Sequence, residues 1–203
     1  MTDSQPYHHG NLRPALLTAA VALIGEVGPR AFTLREVARR AGVSHNAPYR
    51  HFAGKEEVLA AVAQEGFERL TVSMNDSMAP ALSARERLLL CGLGYVQFAL
   101  AWPHHFLVMF DFPTSTTLAC ESPQIGQNAF DVLLQAIVAA QSAAHLPPGD
   151  PLPFALIAWA QVHGIAKLAI SGNLPLPPAA ILAFTRTATE TLFSGMALRN
   201  PQP

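Results

Sequence analysis

The stretch TLREVARRAGVSHNAPYRHF, residues 33–52, decides the fold. Thr33 followed three residues later by Glu36 is a capping box, and Phe32 with Val37 occupies the flanking hydrophobic-staple positions, so the pattern predicts a helix from Leu34 to about Arg40. Gly42 then supplies the left-handed residue that ends it and turns the chain. Ser44 stands as the N-cap of a third short helix running to about Phe52. Ala38 is small where the two helices must cross, and Val37, Val43 and Phe52 supply apolar anchors. Two short capped helices around a glycine turn are the physical recipe for a helix-turn-helix. The N-terminal part of its second helix, Ser44 to Arg50, is the surface that such a unit lays into a major groove.

Helical periodicity continues on both sides. Leu12, Leu16, Ala20, Leu23, Ile24 and Val27 form one stripe of a first helix, which Asn11 can cap, which tolerates Pro14 in its first turn, and which Gly28-Pro29 stops. Gly54 caps a fourth, with Glu56 and Glu57 well placed against its dipole. That helix is expected to reach about Met74. Others follow over 83–101, from Pro103, over about 123–144, 152–171 and 177–196, with Pro-rich breaks between them. The fold class is all-α: a three-helix N-terminal head over residues 1–55 and a helical bundle over 56–203.

Of 203 residues, half are hydrophobic and 13% are charged, enough to bury a large core. Charge is divided unevenly. Residues 1–55 hold seven Lys and Arg against three Asp and Glu, whereas 56–203 hold six against eleven, which points the head at a polyanion. The polar start MTDSQPYHHG lacks the apolar stretch of a secretory signal, so a cytoplasmic location is expected. The apolar runs 88–102 and 154–170 fall short of the roughly 20 residues that span a bilayer and read as core helices, with no membrane contact. Cys91 and Cys120 form no metal or disulfide motif, and a redox role for Cys120 is a weak alternative to an inert thiol. An enzyme is the first rival reading. His8-His9 and His104-His105, however, are adjacent pairs that face different sides of a helix and lack a partner four residues on, so no catalytic residue, metal or cofactor is expected.

Within the head, His45, Asn46 and Arg50 are the candidates for base edges, because Asn pairs bidentately with adenine and Arg with guanine. Ser44, Tyr49, His51 and Lys55, flanked by Arg13 and Arg35, are the candidates for phosphates, and His8-His9 for an arm along the backbone. For each of these the bland alternative is a solvated side chain.

Residues Leu12 to Leu70 closely resemble the DNA-binding domain of the tetracycline-repressor (TetR) family. The matching pieces are the capped first helix, FTLREVARRAGVS, the ending Tyr49-Arg-His-Phe52, and Gly54-Lys55-Glu56-Glu57. The resemblance implies that Tyr49 and His51 clamp phosphates, that Lys55 assists at the start of the fourth helix, and that this helix links the head to a ligand-sensing body. One departure is Pro48, where most members carry an aliphatic residue; at the fourth position of the helix it removes the first intrahelical hydrogen bond. Trp159, His163 and Gly164 resemble the Trp-His-Gly signature of one TetR subgroup. Gly164 would allow close helix approach, and His163 reads better as a hydrogen-bonded core residue than as a ligand contact.

The resemblance further implies a homodimer through the last two long helices, binding palindromic double-stranded operator DNA as a repressor. Their small residues, among them Ala155, Ala158, Gly164, Ala166 and Ala188, suit tight packing. An effector pocket is placed between the body helices, with Phe98, Trp102, Phe106, Met109, Phe110, Phe130, Leu134, Trp159 and His163 as candidate lining. It would take a small apolar or aromatic molecule, although the same stripe fits plain core. The second rival is a helical ligand- or partner-binding protein whose DNA head is inactive.

Overall fold

The computed structural model describes residues 12–112 and 125–197, with the side chains of 125–128 left aside. The candidates His8, His9, Asn11 and Cys120 lie outside these. Among the described residues the chain forms eight α-helices and one short 3-10 turn and no strand: α1 (Leu12–Val27), α2 (Leu34–Arg40), the 3-10 turn Pro48–Arg50, α3 (Lys55–Met78), α4 (Ala84–Ala101), α5 (Pro103–Asp111), α6 (Ile125–Ser142), α7 (Leu152–Ile170) and α8 (Pro178–Ala197).

Local chemistry sets the boundaries. The Thr33 side chain accepts from the Glu36 N–H at 3.3 Å while the Thr33 N–H donates to Glu36 Oε2 at 2.8 Å, closing the capping box. This pairing holds the Glu36 carboxyl below the usual carboxylate range. At the other end of α2, Val43 N–H reaches Ala38 O and Gly42 N–H reaches Arg39 O, with Gly42 at φ +68. That is the Schellman closure, which only a residue comfortable in the left-handed region completes cheaply. Thr33→Ala is expected to cost about 1 kcal/mol of stability, the usual worth of an N-cap, read as a lower urea midpoint with unchanged slope.

The third helix does not form as the sequence reading expects. Ser44 makes no side-chain cap; its carbonyl accepts from Ala47 N at 2.9 Å, and only Pro48–Arg50 winds, in 3-10 geometry. The cause is chemical. An α-helix from Ser44 would need residue 48 to donate to the Ser44 carbonyl, and proline has no N–H, so the tighter i to i+3 pattern takes over.

The long helix α3 starts in the head and runs beyond Met74 to Met78, four residues further than the periodicity suggests. It packs most extensively against α4, and the two cross at Gly94. A Cβ there would sit 2.7 Å from Ser73 O and 2.9 Å from Met74 Cα. The crossing is held by Ser73 Oγ, which donates to Gly94 O at 2.8 Å, and by Ser77 Oγ, which donates to Gln97 Oε1 at 2.9 Å. Gly164 does not play that part, since the space beyond it is open within the chain.

The reading of 154–170 as a core helix is also corrected. α7 has the length and apolar composition of a membrane-crossing helix, yet only 22% of that stretch is buried. Ile157 and Leu168 are 44–45% exposed and line no cavity, and Phe184 of the neighbouring α8 is 40% exposed. Together with Gly164 and Gly195, whose Cβ positions face open space, they leave an apolar face of α7 and α8 uncovered within one chain.

Candidate nucleic-acid interface and ligand cavity

The head sorts its side chains by alternating burial along the recognition turn. Ala47, Pro48 and Phe52 point inward, while Ser44, His45, Asn46, Tyr49 and Arg50 are exposed, Tyr49 by 53%. The buried residues seat the turn on α1 and α2, whose Leu16, Leu23, Val37 and Ala38 are nearly inaccessible. Arg13 and Arg35 are exposed at the starts of α1 and α2, and His51 is half-buried. The Arg13 guanidinium lies over the Phe52 ring at 5.2 Å, which ties it to the end of the turn. Lys55 lies at the start of α3, beside the end of the turn. Its ammonium donates to the Arg30 carbonyl and sits 4.9 Å over the Phe32 ring, so it braces the head against the start of α3.

In the body, a cavity of about 650 Å³ opens between α3, α4, α6, α7 and α8, within the usual range for drug-sized ligands. Of the nine residues assigned to it from the sequence, Met109, Phe110, Phe130 and Trp159 are in its wall. The other five are not. Phe98 and Phe106 are fully packed in the core. Trp102 turns outward at the break that Pro103 imposes, under the Arg69 guanidinium at 3.9 Å. Leu134 is displaced from the wall because Phe130, Leu133 and Ile137 form the inner row of α6.

His163 stands behind the wall. It stacks on Phe106 at 5.3 Å and its Nδ1 shares a 2.9 Å hydrogen bond with the Tyr95 hydroxyl, to which Trp159 Nε1 also donates at 3.4 Å. This is the hydrogen-bonded core histidine the sequence favours. Among the many wall residues outside the sequence reading, Tyr95, Gln161 and Thr189 bring a hydroxyl or an amide. Gln161 is a polar residue within the apolar α7, which is the signal by which it could have been found, whereas Thr189 lies in the polar run 185–191 of α8 and carries no such signal. Cys91 is there too, its thiol pushed up to about 12 by burial and therefore protonated.

Short α5 connects cavity and head. Met109 and Phe110 face the cavity, whereas the His104 ring lies so close to α1 that a Cβ at Gly25 would meet it at 2.5 Å. At its end, Phe112 lies under the Arg30 guanidinium at 5.6 Å, and Asp111 is paired with Lys167 of α7. His105 is 3% exposed beside α3, with Nε2 3.7 Å from Glu65 Oε2.

Burial lowers the pKa of both His105 and His163. Arg69 and His104 add to the effect at the first and Lys167 at the second, while Glu65 and Asp111 oppose it. Below the ordinary imidazole value of 6.5 the unfolded chain therefore binds protons that the folded chain resists. Stability is fully present above that value and falls as pH drops from it through the folded pKa values. The urea midpoint is expected to decline from pH 7 to about pH 5.5, and His105→Gln combined with His163→Gln to flatten the decline. An unchanged slope in the double variant would contradict this assignment.

Two family models match the chain. Residues 88–192, more than half of the chain, match the family model described as the tetracyclin repressor-like C-terminal domain, and residues 16–62 match that of bacterial regulatory proteins of the tetR family. The chain belongs to the TetR family.

Among TetR relatives, BetI of Rhizobium meliloti, described as an HTH-type transcriptional regulator, is 37% identical over 76 residues, 37% of either chain. KstR2 of Mycobacterium tuberculosis, described as an HTH-type transcriptional repressor, is 33% identical over 97 residues, 48% of either chain. The match thus spans less than half the length of these curated relatives. A solved protein of unknown function from Rhodococcus sp. RHA1 is 35% identical, with 96% of this chain and all of that one covered and a TM-score of 0.82. FadR of Bacillus subtilis, solved with stearoyl-CoA, shares the fold at 17% identity and a TM-score of 0.76, covering 90% of this chain and 98% of that one. Among the described residues no group of three or more His, Cys, Asp or Glu is placed to hold a metal ion.

Proposed function

We propose that this TetR-family protein is a homodimeric, sequence-specific DNA-binding regulator of transcription, a repressor released from a palindromic operator by a small apolar ligand. The observation that carries it is the recognition turn. His45, Asn46, Tyr49 and Arg50 stand exposed on a base made rigid by buried Ala47, Pro48 and Phe52. His45, Asn46 and Arg50 are assigned to base edges. Arg13, Arg35, Ser44, Tyr49, His51 and Lys55 are assigned to phosphates. The head of residues 1–55 does the reading, and the body of 56–203 senses and dimerises. A cytoplasmic location belongs to this reading.

The second copy covers the apolar face of α7 and α8. Two recognition turns held by a two-fold axis then meet half-sites about 34 to 36 Å apart. Phe184→Glu is expected to convert a dimer into a monomer in sedimentation velocity and to abolish operator binding. A variant that remains dimeric would place the interface elsewhere.

Ligand entry acts through α5, which touches the cavity with Met109 and Phe110 and the head with His104 and Phe112. A ligand that favours one position of α5 shifts the population between dimers whose heads fit and do not fit successive grooves. Gel shifts against an operator recovered by selection test the reading. Affinity should fall steeply between about 50 and 200 mM salt, because phosphate contacts release counterions. Failure to bind any duplex at low salt would favour the alternative, a ligand-binding helical protein with an inactive head.

A further inference from the structure

We infer that Pro48 is a specificity-determining residue of the recognition turn: buried and out of reach of DNA itself, it fixes the winding that sets which base step Arg50 meets. The inference deepens the operator-reading function above and rests on it.

Pro48 is buried, while Asn46, Tyr49 and Arg50 around it are exposed. From Ala47 to His51 the backbone bonds reach three residues back. Ala47 N–H donates to Ser44 O at 2.9 Å, Arg50 N–H to Ala47 O at 3.2 Å and His51 N–H to Pro48 O at 2.9 Å. No backbone N–H among the described residues donates to the carbonyls of His45 or Asn46, which the N–H groups of Tyr49 and Arg50 would serve in an α-helix. An alanine or valine would fill the same buried place, so burial alone does not call for proline. What proline alone brings is the missing N–H, which leaves the Ser44 carbonyl to Ala47 and starts the tighter pattern.

The two windings present different surfaces. A 3-10 turn advances about 120° and 2.0 Å per residue, an α-helix about 100° and 1.5 Å. Over the four residues from Asn46 to Arg50 the difference grows to about 80° and 2 Å. In an α-helix these two side chains would share one face. With a three-residue repeat it is Tyr49 that follows Asn46, and Arg50 stands apart. A displacement of about 2 Å is more than half of the roughly 3.4 Å step along one DNA strand, and a bidentate pair with guanine holds only while both of its hydrogen bonds stay close to about 3 Å. The winding therefore decides whether Asn46 and Arg50 meet one base step or two. The same exposed residues on a turn without proline would read another sequence.

Selection from random duplex DNA with four full-length proteins tests this: wild type, Arg50→Ala, Pro48→Ala and the double variant. Pro48→Ala should stay folded by circular dichroism and gain a residue-48 amide protected from hydrogen exchange. It should enrich a palindrome different from that of the wild type, and Arg50→Ala in its background should relax a different symmetric pair of positions. In gel shifts each of the two palindromes should favour the protein that selected it by about tenfold. If Pro48→Ala does not fold, Pro48→Val takes its place. The same palindrome from wild type and variant would overturn the proposal, and so would a loss of affinity that falls equally on every sequence, which marks Pro48 as a packing residue only. The wild-type selection keeps the two readings apart. If it enriches nothing, both fall; if it succeeds and the proline variant reproduces it, only this one does.

Discussion

Phe106→Ala is expected to lower the unfolding free energy by about 3–5 kcal/mol, the range for deleting a fully buried phenyl ring. Phe106 has no exposed surface and is the hub of the aromatic cluster behind the cavity. Its ring centroid lies 4.8 Å from that of Phe110, 5.3 Å from His163 and 6.1 Å from Tyr95. The loss is a large share of the roughly 5–15 kcal/mol that holds a domain folded. Thermal unfolding should move down by on the order of 10 °C. The void would adjoin the cavity, so His163 and Tyr95 would lose orientation along with stability. A change below about 1 kcal/mol would mean that the cluster is not the packed support it is taken for here.

Gly94→Ala is expected to cost about 2 kcal/mol even though alanine is the better helix former by about 1 kcal/mol. The new methyl would meet backbone, Ser73 O at 2.7 Å and Met74 Cα at 2.9 Å, along with Ser77 Oγ at 2.7 Å. A flexible side chain could swing away, but a helix backbone has to move as a unit. α3 and α4 would therefore splay, and because α3 begins at the head, operator affinity should fall together with stability. Urea unfolding and operator titration of the same variant check both parts. A stabilised Gly94→Ala would show that the crossing is looser than the structure places it.

The parts of the fold that the sequence discloses are those set within a few residues. Thr33 with Glu36, Gly28, Gly42 and Ser83 mark helix ends because capping and left-handed glycines act locally. The head was legible for that reason, with one exception. Pro48 signals a lost hydrogen bond and a local alteration of the short helix, but not that only Pro48–Arg50 winds, in 3-10 geometry. The cavity wall was only half legible. A Phe or Met at helical spacing shows which side of its own helix is apolar but not whether the neighbour closes against it. Phe98 and Phe106 therefore went into packing while Phe110 and Phe130 went to the wall. α7 was misread for a related reason: an apolar helix looks the same in sequence whether its cover comes from the same chain or from a second copy. Glycine shows both outcomes, since Gly94 is a crossing point and Gly164 faces open space.

The central claim is that the turn from Ser44 to Phe52 reads an operator, and selection from random duplex DNA with wild type and Arg50→Ala in parallel tests it most directly. Wild type should enrich one palindrome with half-sites about one helical turn apart, and Arg50→Ala should relax it at one symmetric pair of positions. Enrichment of nothing by wild type at low salt, or the same palindrome with the same stringency from both proteins, would contradict the account.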